Sequence, residues 1–219
     1  MHRSTSGAIA LGTALVAVVA PAAGAQAATL TVSQPCQVAT FGLSAVLSGF
    51  TPNSTVSIQG DQIFETATVD ATGSATVPFT APLLGSSDPK SKQVILTATD
   101  NAAAPVSATT RFRTANFAFG TTGGQQSPKA TRTWTFSGLT PGKAIYGHFR
   151  YNGQTRANHR FGVAKGPCGE LTVKAPGIPV KGGVNTGKWT VQIDQKKIFN
   201  RATRPRLTGS VTVFKVVKP

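Results

Sequence analysis

The chain is short of nearly everything from which catalytic centres and membrane anchors are built. Of 219 residues, seven are acidic, three are histidine, two are cysteine and one is methionine. The carboxylates are scattered rather than paired, which leaves little for general acid–base chemistry. Neither EF-hand spacing nor a phosphate-cradling glycine loop ahead of a helix occurs. These scarcities point away from an enzyme, and neither a cofactor nor a metal is expected. The two later histidines, His148 and His159, lack the third ligand that zinc needs. No stretch carries the 3.6-residue apolar period of an amphipathic helix. After residue 27 no apolar run approaches the roughly 20 residues that cross a bilayer.

The first 27 residues read as an export signal. Arg3 lies in a short polar start, an apolar run extends from Ala8 to Val19, and Ala25-Gln26-Ala27 supplies a small-residue cleavage pattern before Ala28. The rest is expected outside the cell, secreted or held non-covalently at the surface.

Glycine, proline and threonine are plentiful, and short Val/Thr/Ile/Phe runs recur between turn residues. That is the pattern of sandwiches. Strands are expected near 29–34, 41–49, 54–60, 63–69, 73–80, 92–99 and 106–114. A second set is expected near 116–119, 131–137, 143–151, 154–162, 170–175, 187–194, 196–200 and 209–217. Val69 to Val77 reads as a hairpin turning at Asp70 to Gly73. The repeat Ser48-Gly-Phe-Thr-Pro-Asn-Ser-Thr-Val56 and Ser137-Gly-Leu-Thr-Pro-Gly-Lys-Ala-Ile145 places the same strand, turn and strand in two similar domains. Pro followed by Asn or Gly is what such a turn requires, because the second residue tolerates positive φ. The fold expected is all-β: two tandem immunoglobulin-like sandwiches, 28–114 and 115–219.

Charge divides the halves. Residues 28–114 hold four basic and five acidic side chains, a net −1; residues 115–219 hold seventeen and two, a net +15.

The first half resembles the bacterial Ig-like domains of exported and cell-surface proteins in high-GC Gram-positive bacteria. The likeness rests on Leu47 to Val56, Val69 to Val77 and Phe79-Thr-Ala-Pro82. It implies a fold and little about function. Similar turns occur in antibiotic-carrying apoproteins of the neocarzinostatin type, whose cysteine pairs this chain lacks. The second half resembles no characterised family specifically.

Two cysteines in an exported chain suggest one disulfide, Cys36 to Cys168, stapling one half to the other; two separate buried thiols are the alternative. Cys168 as a nucleophile has less support. The L,D-transpeptidases place His-Gly before their cysteine, whereas Pro167 and Gly169 flank this one.

The basic half carries the candidate site. His148, Arg150, Arg156, His159 and Arg160 interleave with aromatics around the turn Asn152-Gly153, whose residues suit a type I′ hairpin. If Tyr151 faces Gln154 and the register continues, His148 lies opposite Ala157 and Tyr146 opposite His159, placing both histidines on one face. Lys196, Lys197, Arg201, Arg204 and Arg206 form a second cluster around Phe199 and Pro205. Such a field draws anions. The expected partner is an anionic polymer or surface of the cell envelope, with extracellular nucleic acid and a protein partner also open. Trp134, Phe136, Tyr146, Trp189 and Phe214 are expected in the core. The rival functions are a carrier of a small apolar ligand and a cysteine-dependent cell-wall enzyme.

Overall fold

The computed structural model describes residues 27–123 and 127–215. The export signal therefore lies outside the described residues except for Ala27. Among them every regular element is a strand, and no helix is long and apolar enough to cross a membrane.

The first sandwich faces a three-stranded sheet against a five-stranded one. The smaller contains β1 (Thr29–Val32), β3 (Gly42–Ser48) and β6 (Ala75–Thr80) in the order β1-β3-β6. The larger runs β2 (Cys36–Val38), β8 (Ser107–Ala115), β7 (Ser91–Asp100), β4 (Thr55–Gly60), β5 (Ile63–Thr68). All pairs are antiparallel except β2 with β8. Alternate residues of each strand meet between the sheets, and Leu47, Val56, Ile58, Leu96 and Phe112 are almost wholly buried there. Asp100 is buried at the end of β7, where its carboxylate accepts the backbone N–H groups of Thr51, Ala102 and Val106.

The second sandwich repeats this plan. Its smaller sheet contains β9 (Ala118–Thr122), β10 (Thr131–Ser137) and β13 (Leu171–Pro176) in the order β13-β10-β9. The larger runs β12 (Gln154–Val163), β11 (Ala144–Tyr151), β14 (Gly187–Asp194), β15 (Leu207–Val213). The repeated turns occupy equivalent places, joining β3 to β4 and β10 to β11 across the two layers. Asn53 and Gly142, which follow the turn prolines, have φ of 60° and 76°. Only β2 has no counterpart among the described residues, so nothing there pairs with the outer edge of β15 as β2 pairs with β8. The core gathers Trp134, Phe136, Phe149, Phe161 and Trp189, with Trp134 4.8 Å from Phe161 and edge-on to Phe149 at 6.0 Å.

Four expectations need correction. Val69 to Val77 is not a hairpin: β5 pairs with β4 and β6 with β3, so the turn carries the chain between sheets. Asp70 builds that turn by accepting from the N–H groups of Thr72 and Ser74, but it sits beneath the β3–β4 connection, where Gly73 packs on the Phe50 backbone. Residues 196–200 are a loop, because they fold across the face of their own sheet instead of pairing at its edge. Tyr146 is only half-buried, on the outer face, and Phe214 is 79% exposed just beyond β15. The fourth concerns the β11–β12 register and is described with the site.

The sandwiches meet through covalent and polar contacts. Cys36 and Cys168 are bonded, with Cα atoms 5.3 Å apart. The Ser91 hydroxyl donates to Glu170 at 2.5 Å and accepts from Arg113 Nε at 3.1 Å. Asn116 donates its backbone N–H to Lys90 and accepts the Ser137 hydroxyl on its carbonyl. Beside Cys168, Gly169 has φ of 61° and lies so close to the Leu139 backbone that a Cβ would clash at 1.7 Å.

Candidate functional site

The outer face of the β12-β11-β14-β15 sheet is where the basic residues converge, and strand alternation puts them there. Along β14, Trp189, Val191 and Ile193 face the core, so Lys188, Thr190, Gln192 and Asp194 face outward. Along β11, Ile145 and Phe149 face inward, and His148 and Arg150 outward.

The register expected for the hairpin holds only at its tip. Tyr151 opposes Gln154 and Arg150 opposes Thr155, but Phe149 opposes Ala157, which leaves Arg156 as an extra residue in a bulge. From there the pairing is displaced by one, so His148 lies opposite Asn158 and His159 opposite Gly147. A one-residue shift exchanges faces. The two histidines therefore point to opposite sides of the sheet, contrary to expectation. His159 packs edge-on against Phe161 at 4.9 Å on the inner face, where burial pushes its pKa below the ordinary histidine value.

His148 is fully buried although it faces outward, because the connection from 195 to 206 folds over it. Its Nε2 lies 3.2 Å from Asp194 Oδ1 and its Nδ1 2.7 Å from Asn158 Oδ1. Asp194, also fully buried, further accepts Gln192 Nε2 at 2.7 Å and the Lys196 backbone N–H at 2.8 Å. Gln192 reaches the Asn200 carbonyl at 3.0 Å. Phe199 closes the cover, edge-on to His148 at 5.7 Å and with the Arg150 guanidinium 4.5 Å from its ring centre.

Beside this cover lies a groove of about 490 Å³. Arg150, Lys188, Arg201 and Arg206 supply cations, Phe199 an aromatic wall, and Thr190, Thr208 and Ser210 hydroxyl groups; no carboxylate lines it. Arg150 Nε and Arg206 Nη1 are buried and have no hydrogen-bond partner among the described residues. Such donors are costly to bury unpaired.

The structure thus sorts the candidates. It brings Arg150, Arg201 and Arg206 together. Lys196 and Lys197 line a shallow depression on the loop with Arg201. Arg204 is exposed, with Nη1 donating to the Thr203 carbonyl at 3.0 Å. Arg156 and Arg160 are exposed on β12, the edge strand, and neither lines the groove, although Arg156 forms the bulge beside Arg150's partner Thr155. His148 holds the loop and has no free ring nitrogen, and His159 faces the core. Sequence reasoning missed Lys188 and the supporting Asp194, Gln192 and Asn158. The alternation Lys188, Thr190, Gln192, Asp194 was the signal that could have found three of them.

No protein-family model matches this chain, and no curated protein matches it. Solved structures with detectable similarity include a red sea bream transglutaminase, at 14% identity and TM-score 0.31, over 87% of this chain and 32% of that one. Another is a tetra-tandem repeat from the extending region of a large adhesion protein, at 14% identity and TM-score 0.29, over 84% of this chain and 47% of that one. A third is the human OSCAR ligand-binding domain, at 7% identity and TM-score 0.30, over 84% of this chain and 98% of that one. At these values they carry no functional argument, and the fold class rests on the sheet topology: an all-β chain of two immunoglobulin-like sandwiches.

Proposed function

We propose that this is a non-catalytic exported protein that associates with an anionic polymer of the bacterial envelope through its second sandwich. One observation carries the reading: three arginines and a lysine line a single groove without a carboxylate, and two of the guanidinium groups have buried N–H groups with no partner among the described residues. Guanidinium forks match phosphate and carboxylate oxygens in pairs, and Phe199 offers a flat apolar surface beside them. The wider excess of positive charge on residues 115–219 would raise the local concentration of such a polymer before contact. The near-neutral first sandwich then serves as a spacer or a protein-binding module.

The test is co-sedimentation of the full chain with purified cell envelope at low and physiological salt. Saturable binding that weakens with salt is expected. Reversing Arg201 and Arg206 together (R201E, R206E) should weaken it more than ten-fold, whereas K165E with K174E, equal in charge, exposed and outside the groove lining, should change it about two-fold. Equal losses in the two variants would mean that net charge alone is responsible, and the groove would have no special role.

A further inference from the structure

The open side of the second sandwich holds a second site of different chemistry. Between the edges of β9 and β15, which pair with no further strand among the described residues, the sheets part to leave a cleft of about 340 Å³. Its apolar walls include Phe119, Trp134, Phe149, Trp189, Val211 and Val213, and Arg132, Ser210 and three threonines also line it. In the first sandwich the corresponding side is occupied by β2 on β8. The chain contains two tryptophans, and both line this cleft. Their indole N–H groups are treated differently: Trp189 donates to the Asn185 carbonyl at 2.9 Å, whereas Trp134 Nε1 is buried with no partner among the described residues. Trp134 is only 3% exposed.

We infer that this cleft binds a small, uncharged aromatic molecule that presents one hydrogen-bond acceptor to Trp134 Nε1. Volume, lining and polarity each restrict the occupant. A space of this size suits a molecule of two or three fused rings. Phe119 and Trp134 are near-parallel, 18° apart with centroids at 6.1 Å, so the aromatic wall presents flat surface as well as edges. Those six side chains offer mainly apolar atoms beside one unpaired indole N–H, which an aromatic body with one acceptor matches, while Arg132, Ser210 and the threonines make the rest of the lining polar. Gly209 sets one wall: a Cβ there would meet Phe119 Cζ at 2.7 Å, so β15 keeps its close approach through the missing side chain.

The probe for the test is prodan, an uncharged naphthalene bearing one ketone, titrated into the full-length protein. Expected are one-to-one saturation, a blue shift of prodan emission, and energy transfer from the tryptophans that bracket it. In an ¹⁵N-labelled sample the Trp134 indole proton should move downfield, with the Trp189 resonance moving less because its bond to Asn185 persists. Trp134→Phe, which keeps the ring and removes the donor, should weaken prodan about five-fold. The same variant should leave 2-dimethylaminonaphthalene, which lacks the ketone, bound as before. Val211→Trp should fill the cleft and abolish binding while the circular dichroism spectrum is retained. If V211W does not fold, the two indole resonances of the unaltered protein decide alone. Absence of saturation, equal shifts of both indoles, or loss of binding in the R201E, R206E variant would overturn the assignment. So would concentration-dependent dimerisation that excludes prodan, which would give the cleft to a second copy of the chain.

Discussion

Replacing Asp194 by alanine would strip three donors of one acceptor, namely a His148 ring nitrogen, the Gln192 amide and the Lys196 backbone N–H. The His148 and Gln192 side chains lie buried under the loop, where water cannot replace the lost bonds easily. Breaking such a buried polar network by removing one partner should cost about 3 kcal/mol, measurable by urea denaturation, and binding to envelope should fall with it. Two other residues set the pH response. Burial of His159 depresses its pKa, so the folded chain holds fewer protons than the unfolded one below the ordinary histidine value. Stability should therefore decline as pH falls through and below about 6.5, and His159→Gln should flatten that limb. For Asp100, burial alone would raise the pKa, but donation from Val106, Thr51 and Ala102 outweighs it and the net shift is downward. Its contribution is present above the usual carboxylate range and is lost as pH drops below about 4. Asp100→Asn should lower the melting temperature at neutral pH and narrow the difference from the unaltered protein in acid.

At the scale of elements, the connection from 195 to 206 does most to turn a sheet face into a site. Phe199 anchors it against His148 and Arg150, so Phe199→Ala should loosen the loop more than it unfolds the domain. Trypsin reports the difference: cleavage after Lys196, Lys197 or Arg201 should accelerate several-fold while cleavage elsewhere changes little. This element was also the least legible in the sequence. Lys196 to Asn200 has strand-like composition, and nothing local says that it folds back over β14. The hairpin tip was legible because Asn152 and Gly153 both accept positive φ, at 48° and 75°. The bulge at Arg156 was not: an extra residue leaves no compositional mark, and it alone reversed the expected facing of the histidines. The doubled turns were the most readable feature, since Pro52-Asn53 and Pro141-Gly142 constrain the backbone wherever they stand. What they connect depends on distant pairing. The same limit made Asp70 to Gly73 look like the tip of a hairpin.

For the whole molecule, the asymmetry of charge was written in the sequence, but its concentration in one groove required two strands and a loop to meet. Cys36 and Cys168 posed the same problem at longer range, 132 positions apart in sequence. In the chain-entropy model, closing a loop of that length stabilises the native state by about 5 kcal/mol. A double Cys→Ser variant should therefore unfold at distinctly lower urea concentration. The loss should exceed that from Ser91→Ala, which removes one hydroxyl from the junction.

A protein that attaches to a surface at one point and to a partner at another transmits tension along its backbone. The sulfur bridge changes the path of that tension, because pulling on the ends cannot draw out the residues between Cys36 and Cys168. With the bridge intact, only β1 and the chain beyond Cys168, which includes β13, β14 and β15, can be paid out under load. Cutting the bridge with a reductant should release the residues from 37 to 167 as well, roughly 450 Å of contour at full extension. The oxidation state of a single bond would thus set how far this two-sandwich chain can stretch before it lets go.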